Sequence, residues 1–168
     1  SRDGVTWERP TFNVLRGTNV VSTTPRDSNT VWLDLEARDW GARFKMAGYD
    51  LEAKLLRLHQ SGNGIHWREV GRSGPCGDRS TFFRNPFRQV WAFSLRTDQP
   101  GTINRYRSYV ESRDFPPARW DAGTPVPWTG ADRADLARAD LRTAPQLYNL
   151  DAAAYESVLV GLFSMYRG

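Results

Sequence analysis

Chemistry in this chain falls to carboxylates and arginines, because other reactive residue types are scarce. There is one cysteine, Cys76, and there are two histidines, His59 and His66. That count excludes an internal disulfide framework and a Cys/His zinc site. Cys76 lies between Pro75 and Gly77, next to Asp78 in the order of the chain. A thiol nucleophile needs a positioned base, and the sequence puts neither histidine near it, so Cys76 reads as a loop cysteine. Two aspartates recur at matching places. Asp27 precedes a strand-like run over residues 28–35, and Asp78 precedes another over residues 79–83. A single Asp ahead of a strand is ordinarily a turn cap that accepts backbone N–H groups. Recurrence of the place in two successive units favours a shared site. Arg79 can fork a substrate hydroxyl or carboxylate, or pair with a neighbouring acid.

The elements that must position these residues read as short strands. Strand-like runs cover residues 30–35, 43–49, 53–59, 80–83, 90–96 and 103–110, and a last unit runs from Gln146 and then over 157–166. They are rich in β-branched and aromatic residues and broken by Gly, Pro, Asn and Asp clusters, which is the pattern of an all-β protein. Residues 129–142 carry alternating charges and only two leucines, Leu136 and Leu141, so they offer no wide apolar stripe and read as a polar excursion between strands. Trp32 and Trp91 are expected in the core. Trp40, in a polar turn, is a candidate platform for a sugar ring, the alternative being an ordinary loop aromatic.

One phrase repeats. Ser1-Arg-Asp-Gly-Val-Thr-Trp7 returns as Ser61-Gly-Asn-Gly-Ile-His-Trp67, with Ser, Gly and Trp in the same places, and more loosely as residues 112–120, ending at Trp120. Asp-Gly and Asn-Gly suit tight turns that need positive φ. A repeat of roughly 50–60 residues holding about four strands, with a turn and a Trp at one fixed place, predicts a β-propeller of four-stranded antiparallel blades. The units expected are the end of a blade over residues 1–20, blades over 21–74 and 75–128, and the start of a blade over 143–168. The innermost strand of each blade begins near the axis, so residues at those starts converge.

The repeated phrase resembles a shortened Asp-box of sialidases. The blade order, with Gly77-Asp-Arg-Ser-Thr-Phe-Phe-Arg-Asn-Pro-Phe87 and then Tyr148-Asn-Leu-Asp-Ala-Ala-Ala-Tyr-Glu156, resembles the five-bladed-propeller glycoside hydrolases, the superfamily of arabinanases and β-fructosidases. The resemblance implies an axial pocket with carboxylates from successive blades, and no cofactor. One carboxyl donates a proton to the leaving oxygen; another attacks the anomeric carbon or activates water. Carried to this chain, the catalytic candidates are Asp27, Asp78, and Asp151 or Glu156 from the last unit. The substrate-binding candidates are Arg79, Trp40, Tyr148 and Asn149. The Glu-Cys-Pro motif of β-fructosidases does not occur, which leaves a second reading: a non-catalytic carbohydrate-binding or scaffolding propeller.

Composition narrows the partners. The cations are 21 Arg and 2 Lys, but the net charge is only +4 and the acids are interleaved with the arginines. The densest Arg/aromatic stretch, Arg105-Tyr-Arg-Ser-Tyr109, is too short for a surface that tracks phosphates. No apolar run approaches the ~18 residues of a membrane helix. The expected partner is therefore a carbohydrate, with neither nucleic acid nor a membrane. A five-bladed ring at this repeat needs roughly 250–300 residues, so the 168 residues read as a piece of a longer propeller. Its open sheet edges are expected to be covered by the remainder of the propeller or by another copy of the chain.

Overall fold

The computed structural model describes residues 1–23, 27–98, 101, 104–117 and 119–168. Among them there is no α-helix, and the chain is all-β and antiparallel. The first sheet is a meander of β1 (Asn29–Leu33), β2 (Phe44–Asp50), β3 (Leu55–Ser61) and β4 (Arg68–Pro75). The second repeats the plan with β5 (Thr81–Asn85), β6 (Val90–Asp98), β7 (Arg105–Ser112) and β8 (Val126–Gly130). A hairpin of β9 (Gln146–Tyr155) and β10 (Val158–Tyr166) follows. The polar stretch before it holds turns and no strand beyond the end of β8. Residues 1–20, expected as the end of a blade, form turns and hold no strand.

Strand ends fall where turn chemistry puts them. The run expected from residue 53 begins two residues later. Asp50 Oδ1 accepts the N–H groups of Glu52 and Ala53, and Lys54 takes φ +55°, so the turn runs through Lys54 and β3 starts at Leu55. Asn85 Oδ1 does the same for Phe87 and Arg88 after β5, and Gln89 closes that turn at φ +54°. The run expected from residue 103 starts at Arg105; Ile103 lies outside the described residues.

The two full copies of the repeated phrase fold into the same turn. In the first, Ser1 Oγ accepts from Gly4 N, Asp3 Oδ1 accepts from Val5 N and Thr6 N, and Trp7 Nε1 donates to Gly4 O. In the second, Ser61, Asn63, Gly64, Ile65, His66 and Trp67 make the corresponding bonds. Gly4 and Gly64 both take φ +74°, which only glycine adopts without strain. The second copy joins β3 to β4. The loose third copy joins β7 to β8, the corresponding place in the second sheet, and begins alike, with Asp114 N donating to Ser112 Oγ. It then diverges. Lacking the glycine, it sends Phe115 and Trp120 into the core, where Trp120 Nε1 donates to Pro75 O.

The core lies between the sheets. Register puts Ala47 and Tyr49 of β2 and Leu56 and Leu58 of β3 on one face. Phe82, Trp91, Phe93, Leu95 and Val110 share the facing side of the second sheet. Full burial of a Leu or Phe contributes about 1.5–3 kcal/mol, and the rings of Phe82, Phe93 and Phe115 add tilted and stacked contacts at 5.2–6.5 Å. Gly74 is required here: a Cβ on it would lie 2.0 Å from the Trp120 carbonyl oxygen. Trp91 is buried in this core and Trp32 packs partly buried against it. The opposite face of the second sheet carries Thr81, Ser94, Arg96, Arg105 and Arg107, and β9 lies against it.

Candidate functional site

The chain uses its aspartates in two ways. Asp3, Asp34, Asp39 and Asp50 cap backbone N–H groups. Among the described residues, Asp27 and Asp78 cap none and face guanidinium groups instead. Asp27 Oδ2 stands 3.6 Å from Arg79 Nε, and Asp78 Oδ1 stands 3.6 Å from Arg96 Nη1. Both lie just ahead of the first strand of a sheet. The N–H of Asp27 donates to Tyr49 O, which extends the β1–β2 pairing to the site. Burial pushes the Tyr49 phenol up, and Cys76, Asp78 and Asp27 add to the effect.

The turn carrying Asp78 is built by its neighbours. Gly77 N donates to Arg96 O, Ser80 Oγ donates to Gly77 O, and Arg96 N donates back to Ser80 Oγ. A Cβ on Gly77 would lie 2.2 Å from Arg96 Cδ, so the missing side chain is what lets Arg96 lie across the turn. Arg79 takes φ +57°, a left-handed conformation that is uncommon outside glycine and recurs at functional sites. Cys76 is beneath. Burial pushes its thiol up to about 11, so at neutral pH it is no thiolate nucleophile.

Arg107 holds the site together. It is 0% exposed. Its Nε donates to Ser94 Oγ, its Nη2 to Ser94 O and Arg79 O, and its Nη1 to Tyr148 O. One side chain thus ties β6, the Arg79 turn and β9 together. Burial pulls its guanidinium down to about 10, while the charges of Asp151 and Asp78 hold it up, so it remains protonated at neutral pH. Arg105 adds a second tie, with its backbone N donating to Gln146 Oε1 and its guanidinium over the rings of Tyr148 and Tyr166.

From the hairpin, Tyr148 brings its ring to 5.5 Å from the Arg79 guanidinium carbon. Asn149 and Asp151 lie two apart on β9, and Asn149 Nδ2 donates to Asp151 Oδ2. Asn149 Oδ1 accepts from Ser164, so β10 orients the pair. Asp27, Asp78, Arg79 and Tyr148 are therefore gathered near the starts of the first strands, and Asn149 and Asp151 follow on β9 as an exposed pair. Two candidates lie elsewhere. Glu156 sits in the turn between β9 and β10 at φ +50°, exposed, eight residues beyond Tyr148. At about 3.3 Å per residue that is on the order of 25 Å along the strand. Trp40 lies in a single turn of 3-10 helix, 69% exposed, with the Arg43 guanidinium over its ring.

Arg96, Arg105 and Arg107 are the residues that sequence reasoning missed. The signal was the alternation Arg105-Tyr-Arg107, which at the strand period puts both arginines on one face. The larger cavities lie elsewhere. One of about 630 Å³ is lined by Phe83, Tyr109, Val126, Trp128 and Leu159. Another of about 640 Å³, lined by Asp34, Lys45, Arg84 and Trp91, opens where β1 and β5 end, the far end of those strands from Asp27 and Asp78. Compared with known proteins, the chain matches no family model, no curated protein and no solved structure.

Proposed function

We propose that this chain is a glycoside hydrolase-like protein whose four-stranded sheets are blades of a β-propeller, and that a carbohydrate binds where their first strands begin. The observation that carries the reading is the order of those strands. β1 lies against β5 and β5 against β9, so the leading strands of three successive units are neighbours, as the inner strands of blades are. Asp27 and Asp78 stand ahead of two of those strands, and Asp151 lies on the third. The Ser/Asx/Gly/Trp turn, made twice with the same hydrogen bonds, supports a repeated unit.

In this reading Asp27 and Asp78, each beside a guanidinium, are the acceptors. One attacks the anomeric carbon or activates water, and the other orients a sugar hydroxyl. Asp151 has no guanidinium ion pair among the described residues and takes the donor role at the leaving oxygen. Tyr148 presents a ring for the sugar face and Asn149 an amide for its hydroxyls. The test is hydrolysis of a panel of aryl glycosides and plant and bacterial oligosaccharides, with Asp78→Asn as control. Turnover that survives the substitution unchanged removes Asp78 from the mechanism.

The absence of a Glu-Cys-Pro motif favours a second reading, a carbohydrate-binding or scaffolding propeller without turnover. Saturable sugar binding with no hydrolysis across the same panel supports that reading over the first.

A further inference from the structure

We propose that the ligand of this site carries a carboxylate, so that the carbohydrate class is an acidic sugar of the uronate type; this rests on the glycoside reading above. Guanidinium groups crowd this site and are offset only by loosely placed carboxylates, Asp27 beside Arg79 and Asp78 and Asp98 beside Arg96. Register places Arg96 and Arg107 directly opposite each other on β6 and β7, and Arg105 lies two residues from Arg107 on the same face. Like charges directly opposite on paired strands are destabilising. Arg79 adds a fourth guanidinium from the turn before β5.

Arg107 is satisfied by neutral acceptors, but Arg79 and Arg96 are not. Among the described residues, neither makes a side-chain hydrogen bond. Their carboxylate contacts are ion pairs at 3.4–3.6 Å without hydrogen-bond geometry. The Nε–H groups of Arg79, Arg96 and Arg105 are buried and meet no acceptor among the described residues. The side chains are nevertheless 40% and 27% exposed for Arg79 and Arg96, so their terminal nitrogens reach solvent. A guanidinium is a planar fork with five donors that matches a planar carboxylate with two parallel bonds. Two such forks with donors left over, one of them beside the Tyr148 ring, fit a sugar bearing a carboxylate better than one bearing a hydroxymethyl group.

The experiment is titration calorimetry with matched pairs of aryl glycosides in the gluco, galacto and manno series, identical except for a carboxylate or a hydroxymethyl at C6. Hydrolysis is read on the same compounds. The acidic member of at least one pair is expected to bind about ten-fold tighter or more, which is about 1.4 kcal/mol. Arg96→Gln and Arg79→Gln remove that advantage, and Arg96→Lys recovers only part, because it restores charge without the fork. Thermal melts confirm that the variants fold. Neutral members that bind as tightly, in a manner sensitive to Asp78→Asn, overturn the acidic class and leave the glycoside reading standing. An acidic advantage that survives both arginine substitutions also overturns it, since the carboxylate is then read elsewhere. Neither binding nor hydrolysis across all pairs overturns the glycoside reading and this inference together.

Discussion

Arg96 and Arg107 face each other across β6 and β7, and their guanidinium groups are used in opposite ways. Arg107 is fully buried and donates to Ser94 Oγ and to three backbone carbonyls. Arg96 lies over Gly77, a quarter exposed, with no side-chain hydrogen bond among the described residues. The first fastens the hairpin to the second sheet. The second has Nη1 beside Asp78 and Nη2 beside Asp98, neither in a hydrogen bond.

Arg107→Met removes the donors and leaves the carbonyls of Ser94, Arg79 and Tyr148 without them. Leaving buried acceptors unsatisfied is costly, and a loss of about 3 kcal/mol is expected from a urea titration. Arg107→Lys recovers a part of it, since one ammonium cannot span all three carbonyls. A change within about 0.5 kcal/mol of zero, the range of ordinary surface substitutions, would show that Arg107 fastens nothing.

Gly77→Ala is expected to act on binding more than on folding. The added Cβ meets Arg96 Cδ at 2.2 Å and Nη1 at 2.8 Å, so the Arg96 side chain must leave the turn. Sugar affinity should fall about ten-fold, while the unfolding free energy from a urea titration changes by no more than about 1–2 kcal/mol. Calorimetry with the best ligand of the panel measures the first quantity. Unchanged affinity would place Arg96 outside the binding site.

The strands, the repeated turn and the all-β class were legible in the sequence because they depend on local chemistry. Asn63-Gly64 demands positive φ, and β6 is an apolar run buried on both faces. The matching places of Asp27 and Asp78, each just ahead of the first strand of a sheet, were legible by recurrence. Arg96, Arg105 and Arg107 were not, because their role depends on which strands pair. A register of Arg96 with Arg107 cannot be read from either strand alone. The place of Glu156 was hidden for a related reason. Its neighbour Tyr155 ends a ten-residue strand, and only the length of β9 shows that Glu156 lies at the far tip. The third copy of the turn looked like the others until Phe115 and Trp120 found space in the core.

Acidification should weaken the fold through His59. It is buried on β3, and burial holds its pKa below the ordinary 6.5. The unfolded chain therefore takes up a proton near pH 6.5 that the folded chain does not. The contribution to stability is complete above that pH and declines as pH falls below it. Asp50 is held below 3.8, by the Ala53 N–H first and by Arg57, so its contribution is lost only further down. A melting temperature that falls between pH 7 and pH 5 is expected, with a flatter profile in His59→Val. Equal slopes in the two proteins would remove His59 as the cause.

β10 should drive association. Among the described residues its outer edge pairs with no strand and its sheet has two strands, and Val158, Val160, Leu162 and Phe163 on it are exposed. Free apolar edges pair with other strands. Sedimentation of the isolated chain should show association that grows with concentration and is suppressed by Leu162→Lys with Phe163→Lys. A monomer at all concentrations would contradict this.

The central claim is that carboxylates at the starts of the leading strands cleave a glycosidic bond. The most direct measurement is hydrolysis of the aryl glycoside panel by the native chain and by Asp27→Asn, Asp78→Asn and Glu156→Gln. Turnover in the native chain is predicted, with a loss of at least a hundred-fold in each Asp variant and no change in Glu156→Gln. Turnover that is unaffected by both Asp substitutions, or lost only with Glu156→Gln, would contradict the placement of the chemistry at this cluster.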